Sequence, residues 1–243
     1  MVPPDGTEAA AEGGYDRASL DAAFERSLAR RDEVRARLMG AIPSWYVPWG
    51  HLAATVGIGL VVLVIAMTQI HALRPLELVV VPVTILLANF FEWRVHKKVL
   101  HKKRWPVRVL YDRHTPEHHV VFVEDDMAIR STREFKLVLI PAAGVLGIVL
   151  ITAPFAFAFG RLASANAGWL FLVTAASMMV SYEVLHLSYH LSPKGFIGGS
   201  WLISTLRRHH ARHHDPRLMQ RWNFNVTLPL FDWIFGTIHH REP

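Results

Sequence analysis

Cysteine is absent from this 243-residue chain. That excludes disulfides, thiolate metal sites, cysteine nucleophiles and any iron–sulfur cluster held by cysteine. Paired carboxylate motifs are nearly absent as well. Soluble carboxylate-bridged dimetal proteins use two Glu-x-x-His motifs on bundle helices, and only Glu183 with His186 matches here. The order Glu117-His118-His119 does not supply the His-Glu-x-x-His of zinc peptidases. There is no glycine-rich phosphate loop, and Gly195, Gly198 and Gly199 read as a plain loop. No positive stretch followed by an early apolar run opens the chain, so no cleavable leader is expected.

What is present is unevenly placed. Apolar residues make up 51% of the chain, concentrated in four blocks separated by segments rich in Arg, Lys and His. Residues 1–16 hold almost no large apolar side chain and are expected to be a disordered tail. Residues 17–49 read as an amphipathic, interfacial segment. Ser19 caps a predicted helix to about Met39, with Leu20, Phe24, Leu28 and Val34 near one side. This helix would lie on the membrane or pack on the cytosolic part. Trp45, Tyr46 and Trp49, among Pro43 and Pro48, form an aromatic belt before the first span. Predicted spans cover about 52–70, 76–93, 137–159 and 167–185, each near the ~20 residues that cross a ~30 Å hydrocarbon layer. The short turns 71–75 and 161–166 pair them as two antiparallel hairpins, and Pro141 and Pro154 should bend the third span or set its ends.

Positive charge orients these spans. Lys and Arg number six before the first span, eleven in 94–136 and seven in 193–243, whereas the two short turns carry one each, Arg74 and Arg161. The N-terminus, middle segment and C-terminus are therefore expected on the cytoplasmic side. The net charge of +6 and pI near 9.9 suit anionic lipid. Nucleic acid is not an expected partner, because the basic residues adjoin membrane spans instead of forming a soluble patch.

Ten of the fifteen histidines fall in four groups on that same side: His96 and His101; His114, His118 and His119; His186 and His190; His210, His213 and His214. A single pair would read as surface or hydrogen-bonded histidine. Four groups converging at one end of a membrane bundle lack that rationale. Neutral imidazole binds iron, zinc and copper, and ten are too many for one ion, which points to a dinuclear, nearly all-nitrogen centre. His186 and His190 share a helix face, as do His210, His213 and His214; His114 and His118 are a turn apart with His119 beside them. The five-residue step from His96 to His101 leaves one face of a regular helix, so it needs a helix end, a π-bulge or two different metals. Glu92 and Glu183 are expected to orient ligand histidines or to be paired within the bundle. His51, His71, His239 and His240 read as bystanders.

The pattern resembles the fatty acid hydroxylase and sterol desaturase superfamily, the membrane-bound histidine-rich di-iron oxygenases. The resemblance covers about residues 75–240. It rests on His-x4-His at 96–101, His-x3-His-His at 114–119, His-x3-His at 186–190, His-x2-His-His at 210–214, and the closing run from Asn223 through Asp232 to Gly236 and Thr237. The three-residue gap between His114 and His118 departs from the two found in many members. The resemblance selects His210 over His209 and implies that all ten clustered histidines are metal ligands. It implies an all-α polytopic membrane protein with about four transmembrane helices and a cytosolic helical cap, residues 50–243 forming the hydroxylase-like domain. It further implies two iron ions (Fe2+/Fe3+), O2 as co-substrate, a membrane lipid substrate, and electrons from a separate redox carrier, since the chain has no haem or flavin domain. Hydroxylation of an acyl chain or sterol-like lipid is the expected reaction, and desaturation is the variant within the superfamily. Asn223 would hold water near the metals or serve as a turn residue, and Asp232 and Gly236 would stabilise the closing segment. A bacterial inner membrane is the expected location. Two readings from other classes compete. A metal transporter would place ionisable residues along its spans, and the first and third have none. A lipid-binding scaffold would keep the metals for stability alone.

Overall fold

The computed structural model of the chain describes residues 17–239, and among these the fold is all-α. The expectations for residues 1–16 and for His240 fall outside the described residues, as do the side chains of Leu20, Phe24 and Leu28. Four helical stretches are long and apolar enough to cross a membrane: Pro48–Thr68, Pro75–Leu100, Thr132–Leu162 and Ala165–Tyr189. With the apolar runs that predicted them, they define a polytopic membrane protein.

Each span has a local cause. Helix α2 (Pro48–Thr68) begins on a proline, whose missing N–H costs nothing in the first turn. The second span opens with a tight turn at Pro75–Val79, continues as α3 (Val80–Val95) and ends in a π-helical turn at His96–Leu100. The third is broken. Pro141 disfavours helical geometry at the preceding residue, so the short α6 (Phe135–Val138) stops and Pro141 caps α7 (Ala142–Leu162), which then runs through Pro154. The Ser164 hydroxyl accepts from Ala167 N–H and starts α8 (Ala165–Tyr189).

Helix α8 is the hub, packed against α2, α3 and α7. It comes close to α7 at Gly168, where a Cβ would meet the Ala156 carbonyl oxygen at 2.6 Å and Gly160 Cα at 3.0 Å. At the end of the bundle away from the histidines, the two short turns are tied together. The Glu77 carboxylate accepts from Ser164 Oγ (2.6 Å), Asn166 Nδ2 (3.0 Å) and Arg74 N–H (2.8 Å), while Asn166 Nδ2 also donates to the His71 carbonyl at 2.8 Å.

The cap gathers at the other end. It comprises α1 (Arg17–Gly40), α4 (Arg108–Arg113), a second π turn at His114–His118, α5 (His119–Val121) and α9 (Trp201–His213), while α10 (Leu230–Ile234) packs beside α3. Helix α1 packs on α5, and Val34 joins Val121, Phe122, Met127, Phe135 and Leu187 in one apolar core. Buried Arg35 fastens it further, donating to the Val121 carbonyl at 3.2 Å and pairing with buried Glu134 at 3.4 Å.

Candidate metal centre

All ten histidines of the four sequence groups come together in two buried sets of five: His96, His101, His114, His119 and His213; and His118, His186, His190, His210 and His214. Within each set one nitrogen per ring lies within 4.8 Å of all the others, and neither set includes a carboxylate. The sets cut across the sequence groups. His118 and His119 are chain neighbours but serve different sets, as do His213 and His214. Successive residues on a helix point about 100° apart, so each doublet hands one ring to each side.

The π turns explain the five-residue steps. His96 to His101 spans one π turn and His114 to His119 spans the other, and each pair belongs to the first set. A π turn holds more than four residues, which brings i and i+5 onto one side. The bulge anticipated at His96 is present, and a second one puts His114 with His119 instead of with His118. The i, i+4 pairs His186–His190 and His210–His214 behave as regular helix partners within the second set.

Backbone carbonyls aim the rings. His96 Nδ1 donates to Phe224 O, His213 Nδ1 to Trp222 O (2.9 Å), His118 Nδ1 to Leu137 O (3.0 Å), His190 Nδ1 to Met127 O (2.8 Å) and His214 Nδ1 to Phe122 O (2.6 Å). A carbonyl can only accept, so each Nδ1 carries the proton and each Nε2 presents a bare lone pair. Thr115 does the same for His101. Its hydroxyl donates to Leu100 O (2.8 Å) and accepts from His101 Nδ1 (3.2 Å).

The resulting lone pairs face one another. Nε2 of His101 and of His213 lie 2.9 Å apart, and those of His210 and His214 3.1 Å apart. The first of these pairs has no proton to share, because both rings spend theirs at Nδ1. Nε2 of His118, His186 and His190 is buried with no hydrogen-bond partner. Converging bare nitrogens are costly unless a cation sits among them. The spacing fits that occupant: two nitrogens ~2.1 Å from one ion lie ~3.0 Å apart at a right angle and ~4.2 Å apart when opposite. Burial also keeps the rings neutral, as metal binding requires. It pushes His118 down to about 3, and burial followed by repulsion from neighbouring imidazoles holds His101, His114, His119, His210 and His213 far below the usual histidine range.

The closing segment supplies two of the aiming carbonyls and is itself organised by Asp232. This fully buried carboxylate accepts from Phe224 N–H (2.9 Å), Asn225 N–H (2.7 Å) and Thr237 Oγ1 (2.7 Å), and pairs with His209 Nε2 at 3.0 Å. His209 thus serves Asp232 while His210 joins the second set. Asn223 is a turn residue: its φ is +58°, in the left-handed region that asparagine tolerates, and its side chain bonds the backbone of His209 and His239.

Glu92 and Glu183 do not orient histidines. Glu92 receives Val226 N–H and Thr227 N–H (3.0 Å), holding the closing segment to α3, and Glu183 accepts from Ile140 N–H at 3.2 Å. His51, read as a bystander, ties the same break in the third span from the other side, through Ile140 O (3.2 Å) and Tyr46 OH (2.9 Å). The aiming carbonyls had no sequence signal, since every residue carries one.

The Fatty acid hydroxylase family model matches residues 81–237, which include all ten clustered histidines. The chain belongs to the fatty acid hydroxylase family, whose members are membrane oxidoreductases with a histidine-rich metal site. Searches of curated proteins and of solved structures each found no match.

Proposed function

We propose that this protein is a di-iron lipid hydroxylase that uses O2 and two electrons from a separate carrier to oxidise an acyl chain or sterol-like substrate. The observation that carries the reading is the pair of five-histidine sets, all nitrogen and all buried. Two iron ions there would supply dioxygen activation and attack on an unactivated C–H bond, and the protein supplies geometry, dryness and access.

The residues suit those tasks. His96, His101, His114, His119 and His213 would hold one ion and His118, His186, His190, His210 and His214 the other. Phe122 packs on His118 and His190 (5.2 and 4.5 Å between centroids), and Phe224 on His96 and His213 (6.0 and 5.6 Å). These rings exclude water from the metals. The sets sit at the ends of α3 and α8, so an acyl chain can arrive laterally from the bilayer. Its head group would stay among Lys97, Lys98, Lys102, Lys103 and Arg104. The lysine and arginine distribution supports a cytoplasmic site, and a bacterial inner membrane is the proposed location.

The test is metal content and lipid product together. The protein is expressed with iron, bound metal is counted, and host lipids are analysed by mass. Two irons per chain and a lipid heavier by one oxygen, absent from the His213→Ala, His214→Ala variant, support the hydroxylase. A lipid lighter by two hydrogens moves the reading to desaturation. Unchanged lipids with metal-dependent uptake of ions into vesicles replace it with transport.

A further inference from the structure

The closing segment has a second surface that the metal site does not use. Between Arg221 and His239 the only charged residue is Asp232, and it is wholly buried. Leu228, Trp233, Ile234 and Phe235 are exposed, Trp233 to 72%. They do not sit on top of the cap. Helix α10 packs beside α3, with Phe231 and Phe235 on Phe90 (5.3 and 6.3 Å) and Phe235 on Trp93 (4.6 Å). Asn89 Nδ2 donates to Leu228 O at 2.8 Å, and Phe231 N–H donates to Asn89 Oδ1 at 3.3 Å.

These contacts fix a depth. Asn89 lies seven residues below His96 on α3, about 10 Å along the helix axis. About 20 residues cross the hydrocarbon, so a span opening at exposed Leu76 leaves it near Val95, and Asn89 is well inside. The exposed side chains of the segment continue the exposed apolar surface of α3, formed by Leu86, Leu87, Phe91 and Val95.

We propose that residues 228–235 form a wedge seated in the hydrocarbon of the leaflet on the histidine side, with acyl chains packed directly on Leu228, Trp233 and Ile234. The wedge enters and leaves by the same face, and the backbone around its short helix is tied by Asn89 at Leu228 O and Phe231 N–H and by the Asn225 side chain at Asp232 N–H, as backbone at that depth requires. Bilayer lipid then touches the element that carries Phe224 and aims His96.

The absence of native cysteine makes the test clean. Leu228→Cys, Trp233→Cys and Ile234→Cys are spin-labelled singly in the full-length protein in nanodiscs. Ile151→Cys, on the exposed middle of α7, and Glu33→Cys, on exposed α1, serve as references. Relaxation by oxygen is compared with relaxation by a water-soluble nickel chelate. The wedge labels are expected to match Ile151→Cys, with oxygen favoured several-fold and the chelate excluded. Labels that match Glu33→Cys overturn the proposal, and so do labels shielded from both reagents, which would mean that protein covers this face. The native side chains are exposed, and three independent positions guard against one variant failing to fold.

Discussion

The two histidine sets have the same number of rings and the same chemistry, yet different parts of the chain hold them. In the first, Phe224 O and Trp222 O aim His96 and His213, so the closing segment and Asp232 set the geometry. In the second, Phe122 O, Met127 O and Leu137 O aim His214, His190 and His118, so the segment after the 114–119 histidines does so. The difference teaches that the two sets can be perturbed separately although their histidines interleave residue by residue.

The most severe break is at adjacent positions. His213→Ala is expected to empty the first set and His214→Ala the second, each leaving about one metal per chain. Product should fall by more than the ~100-fold typical of losing a residue that merely orients a ligand. Metal analysis of the two single variants reads this directly, and loss of both ions from either one would mean the sets are a single cooperative site.

Acid should abolish the distinction. The unfolded chain takes up protons at these histidines from about pH 6.5 downward, whereas the folded rings resist, His118 until about 3. Between those values the unfolded state binds more protons, so stability falls as pH drops. Both metals should leave together in a pH titration followed by metal release.

Removing one organiser at a time restores the contrast. Asp232→Asn should weaken the first metal ~10–100-fold and leave the second nearly intact. Arg35→Met strands buried Glu134 and should cost about 3 kcal/mol of stability, loosening the 121–137 segment and the second metal first. Spectroscopic titration of each variant with iron distinguishes the two. The smallest effect expected is that of Thr115→Val, which removes the acceptor of His101 Nδ1 together with the donor to Leu100 O and should weaken the first metal ~10-fold.

Much of this molecule could be read before its structure. Spans show in sequence because burial in lipid demands unbroken apolar runs, and the predicted centres agree with the helices, which extend further at the cap end. The histidines show because a metal centre needs many donors of one kind at helical intervals. What stayed hidden depends on backbone path. The 114–118 step looks like an ordinary helical turn, but a π turn gives His114 to His119. Glu92 and Glu183 lie close in sequence to ligands, and yet they bond the closing segment and the break at Ile140. His51 looked idle for lack of a partner in sequence, and its partners are Tyr46 and a carbonyl eighty-nine residues away.

By itself the sequence determined that this is a four-span membrane protein with ten histidines gathered at one end, because hydrophobicity and donor chemistry are properties of the residues themselves. Tertiary structure alone decided which five serve each set, which carbonyl aims each ring, and that the closing segment turns back beside α3. Those outcomes depend on where distant backbone groups meet, and a backbone carbonyl is the same at every position until folding chooses its neighbour.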